Sequence, residues 1–189
     1  LVFLAGSFAL PALGFDEPAN DKLQAIPVLS GPVIDLTDSL NVQQIQQLSQ
    51  KLQLLHEKYG AQMQVLIVPT TQPEDVFSYS LRVVEKWQLG TKDKDNGLLL
   101  LIAKNDRKSH IQTGYGLEGV IPDIVAKSLL MDTLAPFLRN GDFSGGINAS
   151  IDSAFQRISG EVTAMPVLQS HHKKGQPNGK GKADFGSVT

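Results

Sequence analysis

The sequence predicts an α/β protein: a three-layer α/β/α sandwich on a mixed, mostly parallel sheet that ends in one antiparallel hairpin strand. Three observations carry this. Residues 62–68 alternate and then turn wholly apolar, and 98–103 are pure hydrocarbon, so both read as strands. A helical pattern lies between them, which makes a βαβ unit with parallel strands and a right-handed crossover. A short polar turn, 104–108, then returns the chain antiparallel through 109–113.

The elements follow in order. Val33-Ile34 is a short strand before Asp35. Thr37 or Asp38 is placed to cap a helix whose apolar positions Leu40, Ile45, Leu48, Leu52, Leu55 and Tyr59 recur at helical spacing. Gly60 suits its C-terminal cap, where a left-handed residue is needed. His56 falls near that end as a surface residue. Pro73 or Glu74 opens a second helix that reaches Trp87 and stops at Leu89-Gly90. The strand 98–103 is apolar on both faces, as the centre of a covered sheet requires. Pro122-Asp123 opens a third helix, ending near Phe137 at Arg139-Asn140-Gly141, and a fourth runs from about Ser144 to Ser159.

The flanks differ in kind. Residues 1–14, LVFLAGSFALPALG, are apolar and uncharged and end in a small-x-small pattern, so they read as part of a secretory signal peptide. Residues 15–31 are Pro-rich and aperiodic, a linker. Residues 161–189 read as a basic disordered tail. From Ser170 onward it carries net +3, which leaves net −5 for residues 1–169. His171-His172 belongs to that solvated stretch. The chain has 189 residues, 41% of them hydrophobic, a net charge of −2 and no cysteine. That excludes a disulfide framework, a thiolate metal site and a cysteine nucleophile, and gives no electrostatic case for nucleic acid. A monomer is expected.

The topology sorts the polar residues into two ends. One gathers Asp93, Asp95, Asn96, Glu118 and Asp123 around the glycine-rich segment Gly114-Tyr115-Gly116-Leu117-Glu118-Gly119. Several oxygen donors without His or Cys suit a hard cation, calcium above all. Each has a plainer reading: Asp123 as a helix cap, Asp95-Asn96-Gly97 as turn chemistry, Glu118 as the partner of Lys92 or Lys94. The glycine spacing imitates a dinucleotide fingerprint but follows the return strand of a hairpin, where that motif does not work. The other end gathers Asp35, Thr70, Thr71, Asp106, Arg107 and the Gly141-Asp142 turn. Arg107 can hold a phosphate there or pair with Asp142 to brace two loops.

Taken together, Trp87-x-Leu89-Gly90, Asp95-Asn96-Gly97-Leu98-Leu99-Leu100, Asp106-Arg107, Gly114 to Gly119 and Asp123 resemble the TPM domain. Val33-Ile34-Asp35 and Gly141-Asp142-Phe143 match two further family motifs. The resemblance sets the domain at 32–160. It implies an α/β/α sandwich, an exported protein that is periplasmic or membrane-associated, calcium binding in some members, and acid phosphatase activity. Relatives include a thylakoid lumen protein, bacterial secreted or anchored proteins and a receptor subunit; a label of beta-propeller type is also in use, which the sequence does not resemble. Two functions are expected. The first is a calcium-binding interaction or scaffold module acting with a membrane or envelope protein, with Asp93, Asp95, Asn96, Glu118 and Asp123 as metal ligands. The second is a metal-dependent acid phosphatase acting on a phosphate ester. Asp35, Arg107, Asp142, Gly114, Tyr115 and Gly116 are the remaining candidate binding residues, and the catalytic residues are not identified.

Overall fold

The computed structural model describes residues 23–160. The expected signal peptide, the first part of the expected linker and the basic tail lie outside the described residues. Four strands, β1 (Val33–Asp35), β2 (Gln62–Val68), β3 (Gly97–Ala103) and β4 (Lys108–Thr113), form one sheet in the order β1-β2-β3-β4. The first three are parallel, and β4 returns antiparallel to β3 with Leu98 opposite Thr113 and Ala103 opposite Lys108. The mixed α/β/α sandwich is therefore present.

Side-chain alternation divides the core in two. Val65, Ile67, Leu98, Leu100 and Ile102 face α1 (Val42–Tyr59) and α5 (Phe143–Ile158), together with the helical run 123–139. Leu66, Val68, Leu99 and Leu101 face α2 (Val76–Trp87), which contributes Tyr79, Val83 and Trp87. Strands β1, β2 and β3 step the same way across the sheet, yet α1 and α2 cover opposite faces. The two crossovers are therefore of opposite hand, so one of them departs from the right-handed rule.

Helix α1 starts later than its spacing suggests. The Asp35 carboxylate accepts hydrogen bonds from the Thr37 N–H (2.8 Å), the Thr37 hydroxyl (2.7 Å) and the Leu40 N–H (2.8 Å). That coil occupies Thr37 and Asp38, and Asp38 takes φ +50°. The cap falls instead to Asn41, which exchanges hydrogen bonds with Gln44 in a capping box. Gly60 ends the helix at φ +76°, as its position predicts. Helix α2 opens at Asp75, whose carboxylate accepts from the Phe77 and Ser78 N–H groups.

The run from Asp123 to Arg139 is one helical rod with a change of pitch: α3 (Asp123–Ser128), a π-helical segment (Leu129–Leu134) and α4 (Ala135–Arg139). Pro136 lacks the N–H a regular α-helix would need, and its ring would meet the carbonyl four residues back. The wider turn just before it relieves that conflict. The apolar period of the sequence conceals this change, because one extra residue in a turn barely disturbs a short pattern.

Residues 23–31, expected as linker, lie along α2 as a strap. The Tyr79 hydroxyl donates to the Ala25 carbonyl (3.0 Å), the Trp87 indole to Pro27 (2.9 Å) and Lys86 to Ile26 (3.0 Å), while Ile26 and Leu29 pack on the core. The strap has no periodicity because its backbone is bonded by side chains of a helix rather than by a ladder. Among the described residues no helix is long and apolar enough to cross a membrane.

The three glycines of 114–119 separate cleanly. A Cβ on Gly116 would sit 1.8 Å from the Lys94 carbonyl oxygen, and one on Gly114 2.3 Å from that of Asp95, whereas Gly119 faces open space. Gly114→Ala and Gly116→Ala are each expected to cost about 2 kcal/mol or more in urea unfolding, and Gly119→Ala less than about 0.5 kcal/mol. Equal effects at all three would contradict the close approach.

Candidate functional site

The two ends of the sheet carry different chemistry. At the first, Asp95 takes φ +44° and clasps the glycine loop. Its carboxylate accepts from the Tyr115 N–H (3.0 Å), its carbonyl from the Gly116 N–H (3.0 Å), and the Gly97 carbonyl from the Gly114 N–H (2.8 Å). Tyr115–Leu117 then forms one 3-10 turn, with Leu117 buried as its anchor and Tyr115 79% exposed. The clasp presents the tyrosine on a backbone tied by three hydrogen bonds.

Asn96 is drawn inward. Its amide oxygen accepts from the Thr91 N–H (3.0 Å) and its amide nitrogen donates to the Gly60 carbonyl (2.7 Å), so it braces two loops from a buried position. Asp93, Asp95, Glu118 and Asp123 are all exposed. Among the described residues no three acids converge as a metal shell. One Asp95 oxygen and both ends of the Asn96 amide bond backbone groups. Asp123 is the first residue of α3 and makes no capping bond; Pro122 holds the cap position. Glu118 forms no ion pair with Lys92 or Lys94 among the described residues.

At the second end the carboxylates are also committed. Asp106 accepts from the Thr70 hydroxyl (2.8 Å) and the Thr71 N–H (2.9 Å), tying the exit of β2 to the β3–β4 turn. Partial burial pushes the Asp106 carboxyl up, but the Thr71 and Thr70 hydrogen bonds and the Lys108 charge outweigh it and hold it below its ordinary value. Asp142 caps α5 through the Gly145 N–H (2.8 Å). The expected Arg107–Asp142 ion pair is absent: Asp142 turns to the helix end, and Arg107, at φ +53°, lines a groove instead.

That groove has a volume of about 920 Å³, at the C-terminal ends of the parallel strands, where open α/β sheets take ligands. Lys104, Arg107, Lys108, Lys127 and Arg139 line it, and no carboxylate does. Only Arg107 is foreseen from sequence. Lys104 and Lys108 lie in plain view in the turn K-N-D-R-K. Lys127 and Arg139 point to different sides of an ideal helix, about 120° apart, and the slower winding of the π segment brings both to the groove. Lys104 Nζ stands 5.4 Å over the Phe143 ring and donates to the Thr37 carbonyl (3.3 Å).

Asp106→Asn is expected to destabilise the fold by about 1 kcal/mol at neutral pH. The folded carboxyl titrates below the ordinary aspartate value of 3.8, so its contribution is complete above that value and is lost as pH falls through the lower, folded one. Urea midpoints of wild type and variant should thus converge on acidification below about pH 3.8. A gap that persists at lower pH would contradict the hydrogen-bond account.

The comparisons agree with this architecture. The solution structure of the N-terminal domain of a protein from P. gingivalis is 25% identical, with a TM-score of 0.62 over 68% of this chain and 82% of that one. The N-terminal domain of a Corynebacterium glutamicum protein matches at 15% identity and TM-score 0.57, over 79% of this chain and 94% of that one. The BA42 protein of the psychrophilic bacterium Bizionia argentinensis matches at 17% and 0.58, over 67% and 86%. The last two share the fold alone. The comparison with curated proteins gave no match. The TPM domain family matches residues 33–157, from the first strand to the last helix, and the chain belongs to that family.

Proposed function

We propose that this TPM domain is an exported interaction module that meets a membrane or envelope protein through its acidic end. One observation supports it above the rest: Tyr115 is 79% exposed on a loop pinned by the Asp95 clasp. Burying a large aromatic is favourable, and a loop whose backbone is already tied loses little further freedom on binding. Val120 and Ile124 are exposed nearby in sequence, and Asp93, Asp95, Glu118 and Asp123 supply negative charge. A cationic partner surface would be steered to them. Calcium, which hard oxygens suit, is the rival occupant of this end.

A metal-dependent phosphatase of low activity is the second reading. It draws on Arg107 and the lysines of the groove, which suit a phosphate. Against it, Asp35, Asp106 and Asp142 each accept backbone N–H groups, which makes them loop braces before they are bases.

Tyr115→Ala is expected to lower crosslinked recovery of a partner from envelope extracts by about tenfold with unchanged melting temperature. Undiminished recovery would sink the interaction reading. Saturable amide shifts over residues 93–123 with millimolar calcium would replace it with a metal site. Phosphate-ester turnover that is lost in Arg107→Gln would favour the enzyme.

A further inference from the structure

The groove at the second end is built for an anion that carries hydrocarbon. Its five cations stand around a floor that includes Ile102, Leu130, Leu138 and Phe143. Met131, 65% exposed, sits at its edge. Asp106 and Asp142 each precede a groove residue, Arg107 and Phe143, but their oxygens accept from Thr70 and Thr71, and from Gly145, and neither lines the groove. Asp106 offsets part of the Lys108 charge from outside the lining, and the remaining positive charge over apolar side chains attracts one sign of ligand and rewards an apolar body.

We infer that this groove seats the headgroup and first acyl carbons of an anionic phospholipid, and so lays the second end of the domain against a bilayer. The lining argues for lipid over an acidic peptide. Its side chains offer cations, hydrocarbon and the Ser109 hydroxyl, with no carboxylate or amide to accept the backbone N–H groups of a peptide. Unmet buried N–H groups are costly, whereas a phosphodiester head is all acceptor and an acyl chain asks for no hydrogen bond. Lysine and arginine add attraction to an anionic leaflet one by one, and Met131 supplies a flexible apolar contact. This inference stands apart from the acidic-end reading: the acids and Tyr115 lie at the opposite end of β3 and β4.

The test is vesicle co-sedimentation with phosphatidylglycerol mixed into phosphatidylcholine, against phosphatidylcholine alone. Binding is expected only with the anionic lipid, and is expected to weaken about tenfold between about 50 and 300 mM salt. Lys127→Glu with Arg139→Glu should lower it about tenfold, and Met131→Gln about fivefold with no change of charge. All three positions are exposed, so melting temperatures should hold. The lysines after residue 170 are common to every variant and cancel in the comparison. As a direct readout, monomeric dihexanoyl phosphatidylglycerol should shift the Met131 methyl and the Lys104 and Phe143 amides, and glycerol phosphate should not. Undiminished sedimentation of the double charge variant would overturn the inference. So would an unaffected Met131→Gln, which would mean simple charge adsorption. Equal shifts with glycerol phosphate would assign a soluble anion in place of the lipid, and equal capture of an acidic polypeptide would assign a protein.

Discussion

The burial of β3 on both faces is the constraint from which the rest follows. All seven residues from Gly97 to Ala103 are buried. A strand of this kind has no face to give to water, so a layer must close over each side of it. Helix α2 and the strap of residues 23–31 supply one layer. Helices α1 and α5 and the rod 123–139 supply the other. Polar side chains are thereby excluded from both faces of β3, and the loops at its two ends carry the charged ones.

Those ends are made by opposite devices. At the acidic end, backbone holds backbone: Asp95 in a left-handed conformation grips two N–H groups of the glycine loop, and the glycines are needed because carbonyl oxygens occupy the place a Cβ would take. The result is a closely tied loop with an aromatic ring left outside. At the basic end the backbone ties run through Asp106 and Asp142, and five cations line an apolar trough. Asp35, Asp95, Asp106 and Asp142 brace loops and helix ends, and the surface chemistry falls to Tyr115, to Arg107 and to Lys104, Lys108, Lys127 and Arg139, which no motif marks.

This division explains how far the site could be read from residues alone. The strands, the βαβ unit and the antiparallel return are legible because each rests on local pattern: hydrocarbon at 98–103, helical spacing before it, a polar turn after it. The placement of Asp95 beside Gly114–Gly116 is legible because a hairpin brings its two ends together. The roles are harder. Asn96 in a turn looks like a ligand until its amide is seen between Thr91 and Gly60. Arg107 and Asp142 look like partners until each finds a nearer one, the groove and the helix cap. A side chain is claimed by whichever neighbour is closest, and that is a property of space.

The sequence by itself determined the class of fold, the parallel pairing of β2 with β3, the antiparallel return of β4, the two-faced centre and the separation of acids from Arg107, because period, turn chemistry and hydrophobic runs act over a few residues. Only the tertiary structure decided that α1 and α2 cover opposite faces, that residues 23–31 lie on α2, and that Lys127 and Arg139 share a groove with Lys104. These depend on distances between segments far apart in the chain and on one slow turn of helix before Pro136. No window of neighbouring residues contains that information.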